Sequence, residues 1–151
     1  MRLVKVSKQF YIDALTNGTN KELLENEAGR PCVLIVDLVY KGKKIKFVVP
    51  LRSNISSNTP SKQFFSLPPN SRTKPGKHHG IHYIKMFPIN NKYINNYLIS
   101  GNNYLIGIKQ IIDKNESAII KACQDFLTDY ENGKGTLFTP DIDGILNWVN
   151  K

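Results

Sequence analysis

Three histidines fall within five residues of one another, and they are the only histidines of the chain: His78, His79 and His82. Histidine is the side chain best suited to proton transfer near neutral pH. A zinc site is disfavoured because no Cys, Asp or Glu lies close to them in sequence. The cluster therefore indicates either proton transfer on a substrate or plain phosphate contact by loop histidines. His82 is the favoured proton carrier because a predicted strand would hold it.

A second candidate site is Arg52–Ser53, at the end of a predicted strand. A guanidinium can clamp a phosphate through two hydrogen bonds, and a hydroxyl can orient it. Arg30 stands just before the preceding predicted strand. If the two strands pair in an antiparallel hairpin, all three side chains lie near one end of the ribbon.

The charge of the chain is concentrated in its middle. Residues 38–112 contain twelve Lys or Arg and no Asp or Glu, whereas the flanks hold nine basic and twelve acidic residues. A surface of one sign attracts polyanions. An anionic membrane would favour a basic amphipathic helix, but the charges here fall on predicted strands and loops. We therefore expect a nucleic acid partner, and RNA in particular.

The lack of carboxylates in this segment also bears on chemistry. Two-metal hydrolysis of RNA needs several carboxylates around hard cations. The other common route uses the ribose 2′-hydroxyl as nucleophile and requires only proton carriers and positive charge. It yields a 2′,3′-cyclic phosphate and a 5′-hydroxyl. The residue types of this segment suit that second route, which needs no cofactor.

The elements that must position these groups begin with a hairpin. Cys32–Tyr40 is almost continuously apolar, Lys41-Gly42 supplies a turn, and residues 44–50 alternate. Four lysines would line the turn and the solvated side of this hairpin and contact RNA there: Lys41, Lys43, Lys44 and Lys46.

A long basic loop, residues 54–80, follows the hairpin and is rich in Ser, Pro and Asn. Loops of this length are usually functional or mobile. Residues 81–89 then return to strand, with Lys85 on the same face as Ile81. Besides the histidines, the candidate RNA contacts of the loop are its basic residues: Arg72, Lys74 and Lys77.

The remainder predicts an α+β fold in one domain, 1–151. Strands come first, a short helix covers 8–15, and the region of about 93–151 is mainly helical. Its clearest helix begins after Asn115, and a last helix opens at Thr139-Pro140 after a possible short strand, 136–138. Cys32 and Cys123 are interpreted as buried thiols. Without an apparent signal or transmembrane segment, a cytoplasmic protein is expected.

These residues carry a resemblance to a known family. The chain resembles the ToxN/AbiQ endoribonuclease toxins of type III toxin–antitoxin systems, with the TenpN branch as the candidate subgroup. The matching pieces are Arg30 before the strand 33–37, the strand end 50–53, and the segment 80–89. The helical C-terminal third agrees in layout, so the resemblance covers most of the chain in outline.

The resemblance implies a curled antiparallel β-barrel of the Kid/MazF type with added helices. It implies metal-independent RNA cleavage to cyclic phosphate ends. It further implies a small structured RNA antitoxin that occupies the basic groove, closed protein–RNA oligomers, and a role in phage defence by abortive infection or in plasmid maintenance.

Carried over by position, the family's active-site lysine becomes Arg30 and its Thr-Ser pair becomes Arg52–Ser53. Two positions depart from the family pattern. A family lysine falls on Ile55, and a family tyrosine falls near Asn26. The histidines are therefore expected to take over proton transfer.

The sequence thus predicts an endoribonuclease that cuts mRNA at specific sequences. Arg52 and Ser53 would hold the scissile phosphate, His82 with His78 or His79 would move protons, and Arg30 and Lys85 would add positive charge. A non-catalytic RNA-binding module is the main alternative, because affinity needs only phosphate contacts. A DNA-binding regulator is disfavoured because the helix after Asn115 is acidic towards its end.

Overall fold

The structure is a computed structural model that describes residues 1–24 and 29–151. Within these residues an antiparallel sheet is followed by a helical C-terminal part, so the α+β prediction is confirmed. Short 3-10 turns occupy Ser61–Gln63, Tyr83–Lys85 and Asn91–Tyr93. The strands and helices follow in this order: β1 Arg2–Val6, α1 Lys8–Thr16, β2 Cys32–Tyr40, β3 Lys43–Ile55, β4 Phe64–Leu67, β5 His78–His82, β6 Phe87–Pro88, β7 Ile94–Asn96, α2 Asn103–Lys114, α3 Glu116–Glu131 and α4 Ile142–Val149.

The predicted β2–β3 hairpin is confirmed, and it lies in the middle of the sheet. Its turn residues Lys41 and Gly42 both have positive φ, 50° and 76°, which is the geometry of the tight turns that follow the twist of a hairpin. Apolar side chains from both strands enter the core, including Val33, Phe47 and Val49. This rigid ribbon carries the candidate site at the end that lies away from its turn.

The sheet is open, which corrects the barrel expectation. Its strands run in the order β4-β5-β3-β2-β1-β7, with β6 also pairing β3, and β4 and β7 do not pair in the described part of the chain. Strand β4 has four residues and β7 has three. Edge strands this short offer few hydrogen-bonding groups with which to close a barrel.

Strand β3 is longer than the sequence suggested and ends at Ile55. The predicted long loop 54–80 is also wrong in part, because it contains paired strands. Strand β3 continues through Arg52, Ser53 and Asn54 to Ile55, and its last part pairs with β5. Within the expected loop, β4 pairs with β5, and β5 begins at His78. Arg52 and Ser53 therefore lie inside a paired strand.

Glycine at position 80 allows this pairing. Gly80 stands opposite Arg52 in β3 and opposite Ser66 in β4. A Cβ at residue 80 would lie 2.3 Å from the carbonyl oxygen of Phe65, a separation that backbone atoms do not tolerate. The close packing of β4 on β5 therefore depends on this glycine.

The predicted strand 81–89 is wrong in its middle. Strand β5 ends at His82, the 3-10 turn Tyr83–Lys85 follows, and β6 has only two residues. Every residue from Ile81 to Ile89 is buried, so the expected alternation of two faces is lost. Neighbouring elements cover the segment on two sides: β6 pairs with β3, and the 3-10 turn packs against α3.

The helices match the predicted helical region, with two corrections. Residues 136–138 form a turn and no strand, and Leu137 is 90% exposed there. The cap of α4 is Asp141, whose Oδ1 accepts a hydrogen bond from Gly144 N at 2.9 Å, so the helix begins two residues after Thr139-Pro140. Helix α1 covers the predicted range 8–15 and extends one residue further, to Thr16.

Both cysteines are buried free thiols, as the sequence predicted. Burial raises the pKa of the Cys32 thiol to about 12 and raises that of Cys123 further, so neither is an activated nucleophile. Across residues 1–24 and 29–151, no helix has both the length and the apolar content that crossing a bilayer requires.

Candidate active site

One groove brings five of the candidate residues together, namely Arg30, Arg52, Ser53, Arg72 and His79. Its volume is about 670 Å³, and it lies where the end of β3 meets β5, the segment before β5, and the start of α2. We call it the basic groove. The described residues that line it are Gly29, Arg30, Pro31, Leu51, Arg52, Ser53, Asn54, Asn70, Ser71, Arg72, His79, Tyr97, Asn102, Tyr104 and Leu105.

Three arginines form the charged wall of the basic groove. Arg30 Nη1 donates to the carbonyl oxygen of Leu51 at 3.1 Å, which holds its side chain along β3. Burial and the nearby Arg30 lower the pKa of Arg52, so the two guanidinium groups are close enough to repel each other. Arg72, exposed on the segment before β5, adds a third positive group. A bound phosphate would relieve this repulsion.

Ser53 lies beside Arg52 in the groove and has an oriented hydroxyl. Its Oγ accepts a hydrogen bond from Asn70 Nδ2 at 2.8 Å. Since that Oγ already accepts, its own hydrogen remains to be donated elsewhere. Ser53 can therefore donate a hydrogen bond to an anionic oxygen placed in the groove.

The segment before β5 is fastened to β3 by a second asparagine. Asn54 Nδ2 donates to the carbonyl oxygen of Arg72 at 3.0 Å, and Lys74 N donates to Asn54 Oδ1 at 2.8 Å. These two bonds fix the backbone on both sides of residue 73. The groove wall that carries Arg72 is thus tied directly to the strand that carries Arg52 and Ser53.

His79 is the histidine that the structure places in the groove. Its Nδ1 lies 2.8 Å from the carbonyl oxygen of Pro68, which can only accept, so Nδ1 carries the hydrogen. In the neutral ring, Nε2 is then the basic nitrogen. Burial lowers the pKa of His79 below 6.5, although the Pro68 carbonyl opposes that shift. The ring is therefore neutral at pH 7 and able to accept a proton.

A second, uncharged wall faces the arginines and was missed by the sequence reasoning. It comprises Tyr97, Asn102 and Tyr104, around the start of α2. The Tyr104 hydroxyl donates to the Pro68 carbonyl at 2.5 Å, and its ring lies 6.3 Å from that of His79 at an angle of 27°. Asn102 caps α2 through Leu105 N. In the sequence, only the interruption of the apolar pattern at Ser100-Gly101-Asn102 hinted at this wall.

His82 is not in the groove, contrary to the preference that the sequence gave it. It is 3% exposed, and neither ring nitrogen has a hydrogen-bond partner within the described residues. Burial first, and then the positive charges of Arg52 and Lys85, lower the pKa of His82 to about 4. The ring is a neutral buried group and does not line the basic groove.

This burial predicts a pH effect on stability. In the unfolded chain His82 titrates near pH 6.5, and in the folded chain near 4, so unfolding takes up a proton as the pH falls through this window. Stability that is present above pH 6.5 is therefore lost towards pH 4. Between pH 7 and 4.5 the free energy of unfolding should fall by about 2 kcal/mol less in His82→Leu and in His82→Gln than in wild type, as measured by urea unfolding. Equal pH dependence in wild type and both variants would contradict this assignment.

Lys85 also lies away from the groove. It is 6% exposed, and its Nζ donates to Glu22 Oε2 at 2.9 Å and to the Glu22 carbonyl oxygen at 3.3 Å. This buried ion pair joins the 3-10 turn after β5 to the segment that follows α1. The expected role of Lys85 in substrate contact is replaced by a structural one.

The lysines of the hairpin lie at its far end. Lys43 and Arg52 are nine residue steps apart along β3, a span of roughly 30 Å. Lys41 pairs with Asp143 at 3.1 Å, and Lys46 Nζ donates to Asn91 Oδ1 at 2.5 Å. Lys44 and Lys46 line a separate hollow of about 320 Å³. These four lysines could contact only parts of an RNA that extend well beyond the groove.

Three predicted RNA contacts lie near the groove without lining it. Lys74 and Lys77 are exposed, and His78 is half-buried with its ring 5.1 Å from that of Phe64. Of the two departures from the family pattern, Ile55 is fully buried and pairs with His78 in β5. The other, near Asn26, lies outside the described residues.

Comparison with known proteins identifies the fold. No protein-family model matches the sequence, and neither does any curated protein. Among the solved structures that match, three cover 99% of this chain. One, from a bacterial antiviral system regulated by a processed non-coding RNA, has a TM-score of 0.72 and 19% identity over 98% of its own chain. Another comes from a bacterial type III toxin–antitoxin system with selective toxin inhibition by a non-coding RNA pseudoknot. It has a TM-score of 0.72 and 16% sequence identity, and the match covers 95% of its chain.

The third solved structure is AbiQ, a lactococcal anti-phage endoribonuclease belonging to the type III toxin–antitoxin system. It has a TM-score of 0.67 and 13% identity over 95% of its chain. At these identities the likeness concerns the fold. The resemblance inferred from short sequence motifs is therefore confirmed as a shared architecture along the whole chain.

Proposed function

We propose that this chain is a sequence-specific endoribonuclease toxin of a type III toxin–antitoxin system. The observation that carries the proposal is the basic groove, where Arg30, Arg52, Arg72, Ser53 and His79 converge. The fold shared with AbiQ and with the toxin inhibited by an RNA pseudoknot supports it. The proposal includes cleavage without a metal ion, since the described lining residues offer no carboxylate.

The arginines would bind the scissile phosphate. The planar guanidinium of Arg52 can donate hydrogen bonds to two of the phosphate oxygens. Arg30 lies close enough to Arg52 to help neutralise the phosphate charge. Ser53 would donate its free hydroxyl hydrogen to a phosphate oxygen. As the 2′-oxygen attacks, negative charge grows on the phosphorane, and fixed positive groups stabilise it more than they stabilise the starting phosphate.

His79 would start the reaction as the base. Its neutral Nε2 takes the proton of the ribose 2′-hydroxyl while the 2′-oxygen forms a bond to phosphorus. The bond from phosphorus to the 5′-oxygen then breaks, and the departing oxygen takes a proton from water at the open side of the groove. The products are a 2′,3′-cyclic phosphate and a 5′-hydroxyl, and His79 returns its proton to solvent.

The uncharged wall would hold bases next to the cleaved bond. Tyrosine rings stack on unpaired bases with little regard to sequence, whereas amides read base edges. Tyr97 and Tyr104 could supply stacking, and the amide of Asn102 a hydrogen bond. The proposal therefore includes cleavage of single-stranded mRNA at preferred sequences.

The proposed regulator is a small structured RNA that fills the same groove. An RNA inhibitor would use the phosphate contacts that the substrate needs, so the two would compete. A closed protein–RNA assembly, a cytoplasmic location, and a role in phage defence by abortive infection belong to the same proposal. The solved structures regulated or inhibited by non-coding RNA support the choice of partner.

Expression in cells tests the proposal. Wild type and Ser53→Ala are placed under a tight inducible promoter, growth is scored, and the 5′ ends of cellular RNA are mapped. We expect wild type to arrest growth and to leave new 5′-hydroxyl ends, and Ser53→Ala to do neither at equal expression. If neither protein is toxic or cuts RNA while both bind it, the chain is a non-catalytic RNA-binding module.

A further inference from the structure

Asn70 lies in the turn before β5 and contacts Ser53 across the groove. It is half-buried, in a Pro-Pro-Asn-Ser stretch seventeen residues from its partner. Its side chain makes three hydrogen bonds. Nδ2 donates to Ser53 Oγ at 2.8 Å, and Oδ1 accepts from Arg72 N at 2.8 Å and from Thr73 Oγ1 at 3.1 Å.

The orientation of the Asn70 amide is fixed by chemistry. The backbone nitrogen of Arg72 can only donate, so the amide atom that faces it must be the oxygen. The NH₂ group then faces Ser53 and can only donate to it. The Ser53 hydroxyl, with one hydrogen, cannot return that bond to Asn70 and must direct its hydrogen elsewhere.

From this arrangement we infer that Asn70 is a positioning residue that aims the Ser53 hydroxyl hydrogen at the scissile phosphate. The inference rests on the proposed function, because it assigns how one contact to the substrate is oriented. Without Asn70 the hydroxyl would rotate freely, and part of the time its hydrogen would point away from the phosphate. The cost would appear when charge grows on the phosphate oxygen, since hydrogen bonds to charged groups are the stronger ones.

The same turn keeps Asn70 in place without help from Ser53. Thr73 N donates to the Asn70 carbonyl oxygen at 3.1 Å, and Asn54 fastens the backbone at Arg72 and Lys74 to β3. These contacts survive a change at residue 53. Ser53 can therefore be altered while Asn70 stays where it is, which allows the two side chains to be tested against each other.

The test is a double-mutant cycle with Asn70→Asp and Asn70→Ala. Aspartate keeps the acceptor for Arg72 N but has no hydrogen for Ser53, and alanine removes both without adding charge. We expect each to lower the single-turnover cleavage rate about ten- to a hundredfold, the range for one charge-assisted hydrogen bond. In a Ser53→Ala background, whose residual cleavage is followed with excess protein over long incubations, we expect Asn70→Ala to change the rate by less than about twofold. If Asn70→Ala lowers the cleavage rate by the same factor in wild type and in Ser53→Ala, the two residues act independently and the inference is overturned.

Two further readouts keep the outcomes distinct. Trypsin cleavage after Arg72 or Lys77 reports whether the turn stays docked, and we expect Asn70→Asp to match wild type. Binding of an RNA that carries a 2′-deoxy residue at the cleavage site reports the phosphate contact alone. If wild type binds this RNA but cuts no RNA, the proposed function fails. The double-mutant cycle of Asn70 and Ser53 is then measured on the affinity for this RNA, and it still decides whether Asn70 acts through Ser53.

Discussion

Replacing His79 with alanine is expected to lower the RNA cleavage rate by about 100- to 10,000-fold, the range for loss of a positioned general base. His79 is the histidine that lines the groove, and its Nδ1 is committed to the Pro68 carbonyl. In the proposed mechanism Nε2 takes the proton, so the substitution should lower the rate while RNA affinity changes little. Single-turnover cleavage with a labelled RNA, together with filter binding, separates the two quantities.

The matched control for this experiment is the neighbouring histidine. His78 packs against Phe64 outside the groove, so His78→Ala should cost less than about tenfold in rate. The pH profile adds a second check. Because burial lowers the pKa of His79, the wild-type rate should stay level at neutral pH and fall only below pH 6.5. A His79→Ala protein that cuts RNA at the wild-type rate would remove this residue from the mechanism.

Loss of Arg52 is expected to have the second large effect. Arg52→Ala should lower the cleavage rate by about 100- to 1,000-fold, the usual result of removing a group that stabilises transition-state charge. Arg52→Lys should recover only part of the rate, because an ammonium keeps the charge but cannot form the two-pronged contact. The rates are compared at saturating RNA, so that weaker binding does not obscure the chemical step.

An exposed lysine that does not line the groove controls for lost charge. Lys121 lies on α3, is exposed, and pairs with Asp125 at 2.7 Å. Lys121→Ala also removes one positive charge, and we expect it to leave the cleavage rate within about threefold of wild type. If Arg52→Ala and Lys121→Ala behave alike at saturating RNA, the groove is not where cleavage occurs.

The hairpin could be predicted from sequence because its signals are local. The apolar run of β2, the turn at Lys41 and Gly42, and the alternating residues after it all lie within a short window. The end of β3 was misjudged for the opposite reason. Arg52 is polar and looks like the end of a strand, but β5, far along the chain, supplies its pairing partner.

The site was predicted in part, and the errors share one cause. Arg30, Arg52 and Ser53 meet as the antiparallel hairpin required. The sequence favours His82 over His79 because the predicted strand over 81–89 would hold it in place. His82 does end strand β5, but the 3-10 turn that follows is packed on both sides, and His82 and Lys85 are both buried. The contacts of Asn70 and Tyr104 join distant parts of the chain, which no local pattern reveals.

The most direct test of the account uses purified protein and two RNAs that differ by one oxygen atom. One is an all-ribose RNA that wild type cuts at a mapped bond, and the other has a single 2′-deoxy residue before that bond. Both are incubated with EDTA present, and the ends are identified by mass spectrometry. The account predicts that only the all-ribose RNA is cut there, leaving a 2′,3′-cyclic phosphate and a 5′-hydroxyl. Equal cleavage of the deoxy-substituted RNA at that bond, or loss of all cleavage in EDTA, would contradict it.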